Sequence, residues 1–267
     1  MTCQKINFNK AVALLFLSTL SILGYSQQAE KIYHEEYSKL SFVLQPSILK
    51  PSSAGNYDGS TYPTMDPIKD FSYQFGFYYN FAQSGSFNFK TGVIAKEFVP
   101  KFNLYITGAD IGNYEVDYLE EFDTYNQFII SIPFKTEYFL KLHNKLGLSL
   151  GVGLNLDLFT GMSELTLTRF SVYDNEGNGK DIFYSYSRTN NIMNFSTETS
   201  IGLNYKTKFA FFDLSYYTTN IVAYDYTSGN YQIVNLLQSP DKKGAFTIYP
   251  FYYGLSLVIS PKKNWIR

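Results

Sequence analysis

The stretch from Leu146 to Leu158, which reads LGLSLGVGLNLDL, decides the fold. Every even position is Leu or Val, and every odd position is Gly, Ser, Asn or Asp. Alternation with a period of two fits a pleated β-strand and cannot line up one face of a helix. Because the polar face is small and nearly uncharged, it suits the inside of a small closed barrel better than bulk water. We therefore predict a transmembrane β-strand with its leucine side in lipid.

The same alternation recurs in seven other segments of the 267-residue chain. A tilted strand crosses a bilayer with roughly 9 to 11 residues, a length that most of the segments reach. We predict an all-β fold, an up-and-down antiparallel transmembrane barrel of eight strands, with ten strands as the alternative. The predicted strands are Leu40–Ile48, Phe71–Phe81, Phe87–Phe98, Phe128–Leu140, Leu146–Leu158, Phe195–Tyr205, Ala210–Thr218 and Thr247–Ile259.

The connections between these strands alternate strictly between short and long. The short ones are Gln83–Ser86, Leu142–Lys145 and Lys206–Lys208, and the other four are several times longer. Outer-membrane barrels have short periplasmic turns and longer external loops, so we place both termini in the periplasm. Within the third long connection, two strand-like segments flank a turn-forming NEGNG, which predicts a hairpin projecting above the membrane.

The first 26 residues have the pattern of a secretory signal peptide. Residues 1–26 combine basic residues, a short apolar run and a small-x-small site, which predicts a signal peptide cut between Ser26 and Gln27. The single cysteine, Cys3, lies inside this segment, so disulfides and thiolate metal sites are not expected in the mature chain. We divide the chain into the signal-peptide helix (1–26), a periplasmic lead-in (27–38), the barrel (39–260) and a periplasmic tail (261–267).

Composition supports a membrane barrel and argues against nucleic-acid binding. Charged residues are 17% of the chain and aromatic residues 19%, whereas an ordinary globular domain is about 25% charged. Aromatic girdles at two membrane interfaces account for the surplus of Tyr and Phe. The formal net charge of -1 gives no basic face for phosphate contacts.

The predicted inward faces carry both signs of charge. An eight-stranded barrel is just wide enough for side chains to fill it, and an unpaired buried charge is costly. We therefore predict a lumenal network of ion pairs and hydrogen bonds, with a narrow channel as the alternative. The residues of this network are Lys90, Lys96, Lys135, Glu137, Asp157, Glu198 and Asp213.

Candidate catalytic chemistry is sparse. The two histidines, His34 and His143, both fall on the predicted periplasmic side, and acid–base or nucleophilic catalysis usually recruits His. We predict a non-enzymatic protein without cofactor or metal.

The acidic stretch 115–123 is predicted to be a solvated loop. The stretch 174–181, DNEGNGKD, departs from a calcium loop at its twelfth position, Ser185, and is predicted to be a turn.

The middle strand pair resembles a known family. Ile132–Lys135 reads IPFK and is followed by a short turn and a glycine-alternating strand, which resembles the PorT-like outer-membrane β-barrel family of Gram-negative bacteria. The resemblance implies an outer-membrane location and, for some members, roles in secretion or gliding, and it brings no catalytic residues. Near the C-terminus, a pattern is similar to the signal read by the barrel-assembly machinery, formed by Tyr252, Gly254, Leu257 and Ile259.

Two classes of function follow. The first is a structural or interaction role through long extracellular loops, in contact with outer-membrane lipid, lipopolysaccharide and an unknown protein partner. The second is a soluble lipocalin-like barrel that binds a ligand, which would require the leucines of the opening stretch to point inward. A charge-poor exterior of Gly, Ser and Asn would be unusual for a soluble protein, which favours the first class.

Overall fold

The computed structural model describes residues 36–50, 52–112, 117–123, 127–160, 166–173, 179–189, 192–221 and 227–263. The predicted signal peptide, with Ser26 and Gln27, lies outside this part, as do most of the lead-in and residues 264–267. Within it, strands dominate and one short helix, Gly108–Ile111, is present; no helix there is long and apolar enough to cross a membrane. The strands are β1 (Leu40–Leu49), β2 (Ser53–Asn56), β3 (Thr64–Ile68), β4 (Asp70–Ser84), β5 (Phe87–Phe98), β6 (Lys101–Ile106), β7 (Tyr118–Asp123), β8 (Gln127–Lys141), β9 (Leu146–Phe159), β10 (Thr166–Tyr173), β11 (Gly179–Thr189), β12 (Met193–Lys206), β13 (Ala210–Ile221), β14 (Thr227–Ile233), β15 (Lys242–Ile248) and β16 (Tyr252–Pro261).

Eight of these strands close into a barrel. Their order is β1-β16-β13-β12-β9-β8-β5-β4, and each neighbouring pair is antiparallel. The first and last strands close the barrel, with Leu44 opposite Leu257. The predicted up-and-down barrel of eight strands is confirmed, and the ten-strand alternative is wrong because β10 and β11 pair outside the barrel.

The leucine face of β9 points outward. Leu150, Val152 and Leu154 are 42%, 47% and 43% exposed, whereas Gly151 and Asn155 are buried inside. The soluble lipocalin-like alternative required the opposite orientation and is contradicted. Glycine also makes room in the lumen, because a Cβ added to Gly151 would lie 2.7 Å from Cε of Lys135. The small inner face of β9 therefore accommodates the long side chains of β8.

The predicted boundaries fail at the last strand. The alternation from Thr247 to Ile259 spans two strands, because Thr247 and Ile248 belong to β15 and the barrel strand starts only at Tyr252. Between them the N–H of Phe251 bonds to the carbonyl of Tyr249, which turns the chain. The barrel sheet extends to Pro261, so the first residue of the predicted tail belongs to β16.

The four long connections fold into two further sheets, which together we call the cap. One sheet has five strands in the order β10-β11-β14-β15-β2, and the other has three in the order β3-β6-β7. The β10–β11 pair confirms the hairpin expected in the third connection. The other connections were predicted only as loops, and the structure places six strands in them.

An aromatic core joins the cap to the barrel rim. Phe122 packs against Phe102 and Phe183, with ring centroids 6.0 and 5.3 Å apart. The same buried cluster includes Phe98 and Phe159 from the top of the barrel. Burying such large rings stabilises the cap on its support, so the long connections form a packed layer over one barrel mouth.

Candidate functional site: the lumen and the cap

All seven charged residues predicted for the lumen lie inside the barrel. Each is at most 4% exposed, and they come from five different strands. Burying this many charges is tolerable only where they pair. Their arrangement therefore decides what the lumen can do.

Four of the seven form one chain of ion pairs across the middle of the lumen. Lys90 Nζ lies 2.6 Å from Glu137 Oε1, and Lys135 Nζ lies 2.8 Å from Glu198 Oε1 and 3.5 Å from Glu137 Oε1. The buried ring of Tyr78 lies beside them, with its centroid 4.7 Å from Lys90 Nζ. The ring face contributes a cation–π interaction to the cluster.

A second pair lies nearer the cap. Lys96 Nζ lies 2.9 Å from Asp157 Oδ1, and Ser196 Oγ donates a hydrogen bond of 2.6 Å to Asp157 Oδ2. Lys96 also lies 6.0 Å from the ring centroid of Tyr252. This pair is locally neutral, and both of its carboxylate oxygens accept hydrogen bonds.

The seventh residue, Asp213, differs from the others. It makes no ion pair among the described residues, and its Oδ2 atom has no hydrogen-bond partner there. Three lysines face four carboxylates, which leaves one negative charge in surplus. A cavity of about 20 Å³, bordered by Asp213, Glu137 and Asn88, has room for one water molecule.

Aromatic side chains close the lumen at the end opposite the cap. Tyr37 and Phe139 flank Phe211, with ring centroids 6.0 and 6.3 Å from it. Tyr37 also donates a hydrogen bond to the carbonyl of Thr207, and it bridges to Lys262. Because the aromatic core of the cap covers the other mouth, the ion pairs lie in an enclosed lumen.

The buried carboxylate of Asp110 links three of the long connections through hydrogen bonds. Asp110 Oδ1 accepts the N–H groups of Gln238 and Ser239, and its Oδ2 accepts the hydroxyls of Tyr62 and Ser239. Burial raises the pKa of Asp110, but these hydrogen bonds outweigh it and lower the pKa below its usual value. Sequence reasoning missed this residue because its donors lie far along the chain.

The described residues of the two acidic segments, which were predicted to be a solvated loop and a turn, make internal contacts. Asp117 accepts the N–H of Gly108 and the hydroxyl of Tyr105, each at 2.8 Å. Asp181 pairs with Arg169 and accepts two hydroxyl groups, and the Arg169 hydrogen bond is the main reason that its pKa falls to about 2. Residues 113–116 and 174–178 lie outside the described part. Within it, no group of three or more His, Cys, Asp or Glu could hold a metal.

The other residues singled out in the sequence are the two histidines and the four residues of the predicted assembly signal. His143 lies in the exposed turn between β8 and β9, at the barrel end away from the cap, and His34 lies outside the described part. Along β16, Tyr252 and Gly254 face the lumen, whereas the other two residues of the predicted assembly signal alternate to the outside. A Cβ on Gly254 would lie 2.7 Å from Cα of Ser47, so close strand contact requires glycine there.

Comparisons with known proteins give distant structural likenesses to outer-membrane proteins. No protein-family model and no curated protein matches this chain. Among solved structures, the outer membrane protein OprG from Pseudomonas aeruginosa is 12% identical, with 83% of this chain and 97% of that chain covered and a TM-score of 0.39. Neisserial surface protein A is 14% identical, covering 81% and 96%, with a TM-score of 0.29. The Pseudomonas putida toluene transporter TodX is 9% identical, covering 86% and 90%, with a TM-score of 0.25. At such identities and TM-scores these likenesses say nothing about function.

Proposed function

We propose that this protein is an integral outer-membrane β-barrel without enzymatic activity, which acts through its extracellular cap in a structural or interaction role. The observation that carries the proposal is the apolar belt around the barrel. On β4 every outward residue from Phe71 to Phe81 is Phe or Tyr, and each is about half exposed. Soluble monomers rarely expose contiguous apolar patches beyond a few hundred Å². The belt therefore suits outer-membrane lipid and lipopolysaccharide as its surroundings.

The two barrel ends support the proposed orientation. One end has only short turns, and the other carries the cap, whose outer faces are rich in charged and polar groups. Bacterial outer-membrane barrels place short turns in the periplasm and longer connections outside. Both termini would then lie in the periplasm.

The enclosed lumen favours interaction over conduction. Aromatic residues lie at both ends, and the three lysines between them form ion pairs with carboxylates. We propose that the lumenal network holds the strands together, and that contacts with other molecules occur at the cap. Stable single-channel conductance in planar bilayers would instead favour the narrow channel.

The family resemblance adds finer proposals. The IPFK strand, Ile132–Lys135, suggests a PorT-like protein, and with it an association with secretion or gliding machinery through a protein partner. The outward Leu257 and Ile259, with Tyr252 and Gly254, are proposed as the signal read by the barrel-assembly machinery. No nucleic-acid partner is proposed.

Cysteine labelling in cells tests the location. The natural Cys3 lies in the predicted signal peptide, so single cysteines introduced at Ser228 on the cap and at Asn144 in a short turn would be the only ones in the mature chain. A membrane-impermeant maleimide should label Ser228→Cys on intact cells and Asn144→Cys only after the outer membrane is permeabilised. The reverse pattern would contradict the orientation. Recovery of the protein in the soluble fraction would contradict the membrane location.

A further inference from the structure

Two exposed tyrosines on the five-stranded cap sheet are held in place by one asparagine. Tyr57 and Tyr186 are 67% and 42% exposed. The Tyr57 hydroxyl donates to Asn230 Oδ1, and Asn230 Nδ2 donates to the Tyr186 hydroxyl at 3.1 Å. Both rings are therefore oriented before any partner arrives, which lowers the conformational entropy lost on binding.

The sheet surface next to the two rings, which forms the floor of the site, carries small side chains and one asparagine. Tyr186, Asn230, Ala245 and Gly55 lie opposite one another across four adjacent strands. At about 4.8 Å between strands, this row spans about 14 Å. We call the surface formed by this row and Tyr57 the tyrosine platform. Next to it runs a second row of small polar residues and one arginine: Arg188, Ser228, Thr247 and Ser53.

The platform has a positive border. Arg188 and Lys243 are exposed on either side of it, and the two rows contain no carboxylate. Arg169 and Lys242 lie further out and are neutralised by Asp181 and Asp58. The three-stranded sheet of the cap has the opposite character. Its outer face carries Asp66, Glu121 and Asp123, and Lys101 is the one basic residue among the described residues of that face. Charge complementarity therefore directs an anionic partner to the tyrosine platform.

We propose that the tyrosine platform binds a polysaccharide chain that carries carboxylate groups. The proposal rests on the cap lying outside the outer membrane, where such chains occur. Sugar rings present C–H faces that can lie on the tyrosine rings and hydroxyls that can bond to Asn230 and Thr247. The arginine at position 188 offers a planar fork for a carboxylate.

The chemistry of the floor favours a sugar chain over a folded protein. Specific protein interfaces have an apolar centre with buried anchors. Here the centre is Asn230, Ala245 and Gly55, and the large aliphatic Leu167 lies only at the edge, beside Tyr186. The platform therefore offers stacking, hydrogen bonds and charge, and little aliphatic area.

Binding to a defined probe tests the proposal. Full-length protein in detergent micelles is titrated calorimetrically with oligogalacturonate, a chain of uronic acids, and with dextran, a neutral glucan. We expect saturable binding of oligogalacturonate and not of dextran, weakened about tenfold by Tyr186→Ala or Tyr57→Ala. Arg188→Gln should weaken binding and flatten its salt dependence. Absence of oligogalacturonate binding would overturn the proposal.

Tyr105→Ala is the matched control. Tyr105 is also exposed and donates to a carboxylate, but it lies on the acidic three-stranded sheet, so its loss should leave binding unchanged. Resistance of the barrel to unfolding by dodecyl sulfate without heating verifies that each variant is folded. Equal loss with Tyr105→Ala would overturn the proposed location.

Other occupants give distinct results. Equal binding of polyglutamate would indicate an acidic peptide and overturn the sugar assignment. Salt-sensitive dimers that dissociate with Arg188→Gln would indicate that the acidic sheet of a second copy occupies the platform. The binding assay uses purified protein. A negative result there would therefore not change the outcome of the cysteine labelling, which tests the membrane location.

Discussion

Lys135 lies at the centre of the lumenal ion-pair chain, so Lys135→Met is the most informative single change. Its ammonium contacts Glu198 at 2.8 Å and Glu137 at 3.5 Å, and its side chain is about 2% exposed. The substitution keeps the packing volume but leaves Glu198 without its lysine and two lysines facing four carboxylates. Removing one partner of a buried pair typically costs about 3–5 kcal/mol. We expect a loss of that size in the free energy of unfolding.

The assay is urea unfolding in lipid vesicles, followed by far-ultraviolet circular dichroism. Lys145→Met, in the exposed turn before β9, is the control and should change stability by less than about 0.5 kcal/mol. Adding Glu198→Gln to Lys135→Met should recover part of the loss, since the double variant no longer buries that unpaired charge. A Lys135→Met variant as stable as the control would refute the view that buried ion pairs organise the lumen.

Three further changes test other parts of the structure. Asp213→Asn removes the surplus negative charge and should raise the free energy of unfolding by about 1–3 kcal/mol in the same assay, and a loss of stability would be inconsistent with an unpaired carboxylate. Asp110→Asn should cost about 1–3 kcal/mol at neutral pH and speed hydrogen exchange at the Gln238 and Ser239 amides. Because the pKa of Asp110 is lowered by folding, the natural cap should keep this stabilisation above about pH 4 and lose it as the pH falls further, whereas the variant should lack that dependence. Gly151→Ala should cost about 1–3 kcal/mol through its clash with the Ser200 hydroxyl and with Lys135, whereas Gly55→Ala, with open space around it, should cost less.

The barrel could be predicted from sequence because its two faces meet different surroundings along every strand. Leu150 and Val152 face outward and Gly151 faces inward, so a period of two is readable without knowledge of any partner strand. The same logic separated inward from outward charges, and the seven charged residues that it assigned to the lumen are all buried there. It failed at Thr247 because β15 and β16 follow each other closely, and their alternation runs on across the turn between them.

The strands and contacts of the cap could not be predicted from alternation in the sequence. Its strands include segments as short as Ser53–Asn56, which are too brief for a periodic signal. Its key contacts also join distant parts of the chain: Asp110 binds Tyr62 and Ser239, and Asn230 links Tyr57 to Tyr186. Neither set has a local spacing that marks it. Such sites become visible only once the register of the sheets is known.

The central claim is that the alternation in β9 separates lipid from a packed lumen, and spin-label accessibility in liposomes tests it most directly. Nitroxide labels are placed singly at Ser149, Leu150, Val152, Leu154 and Asn155. We expect labels on the two leucines and the valine to be reached by oxygen, which dissolves in lipid, and not by a water-soluble nickel chelate. Labels at Ser149 and Asn155 should be shielded from both. Nickel access at Leu150, Val152 and Leu154, or accessibility without a period of two, would contradict a membrane-spanning barrel.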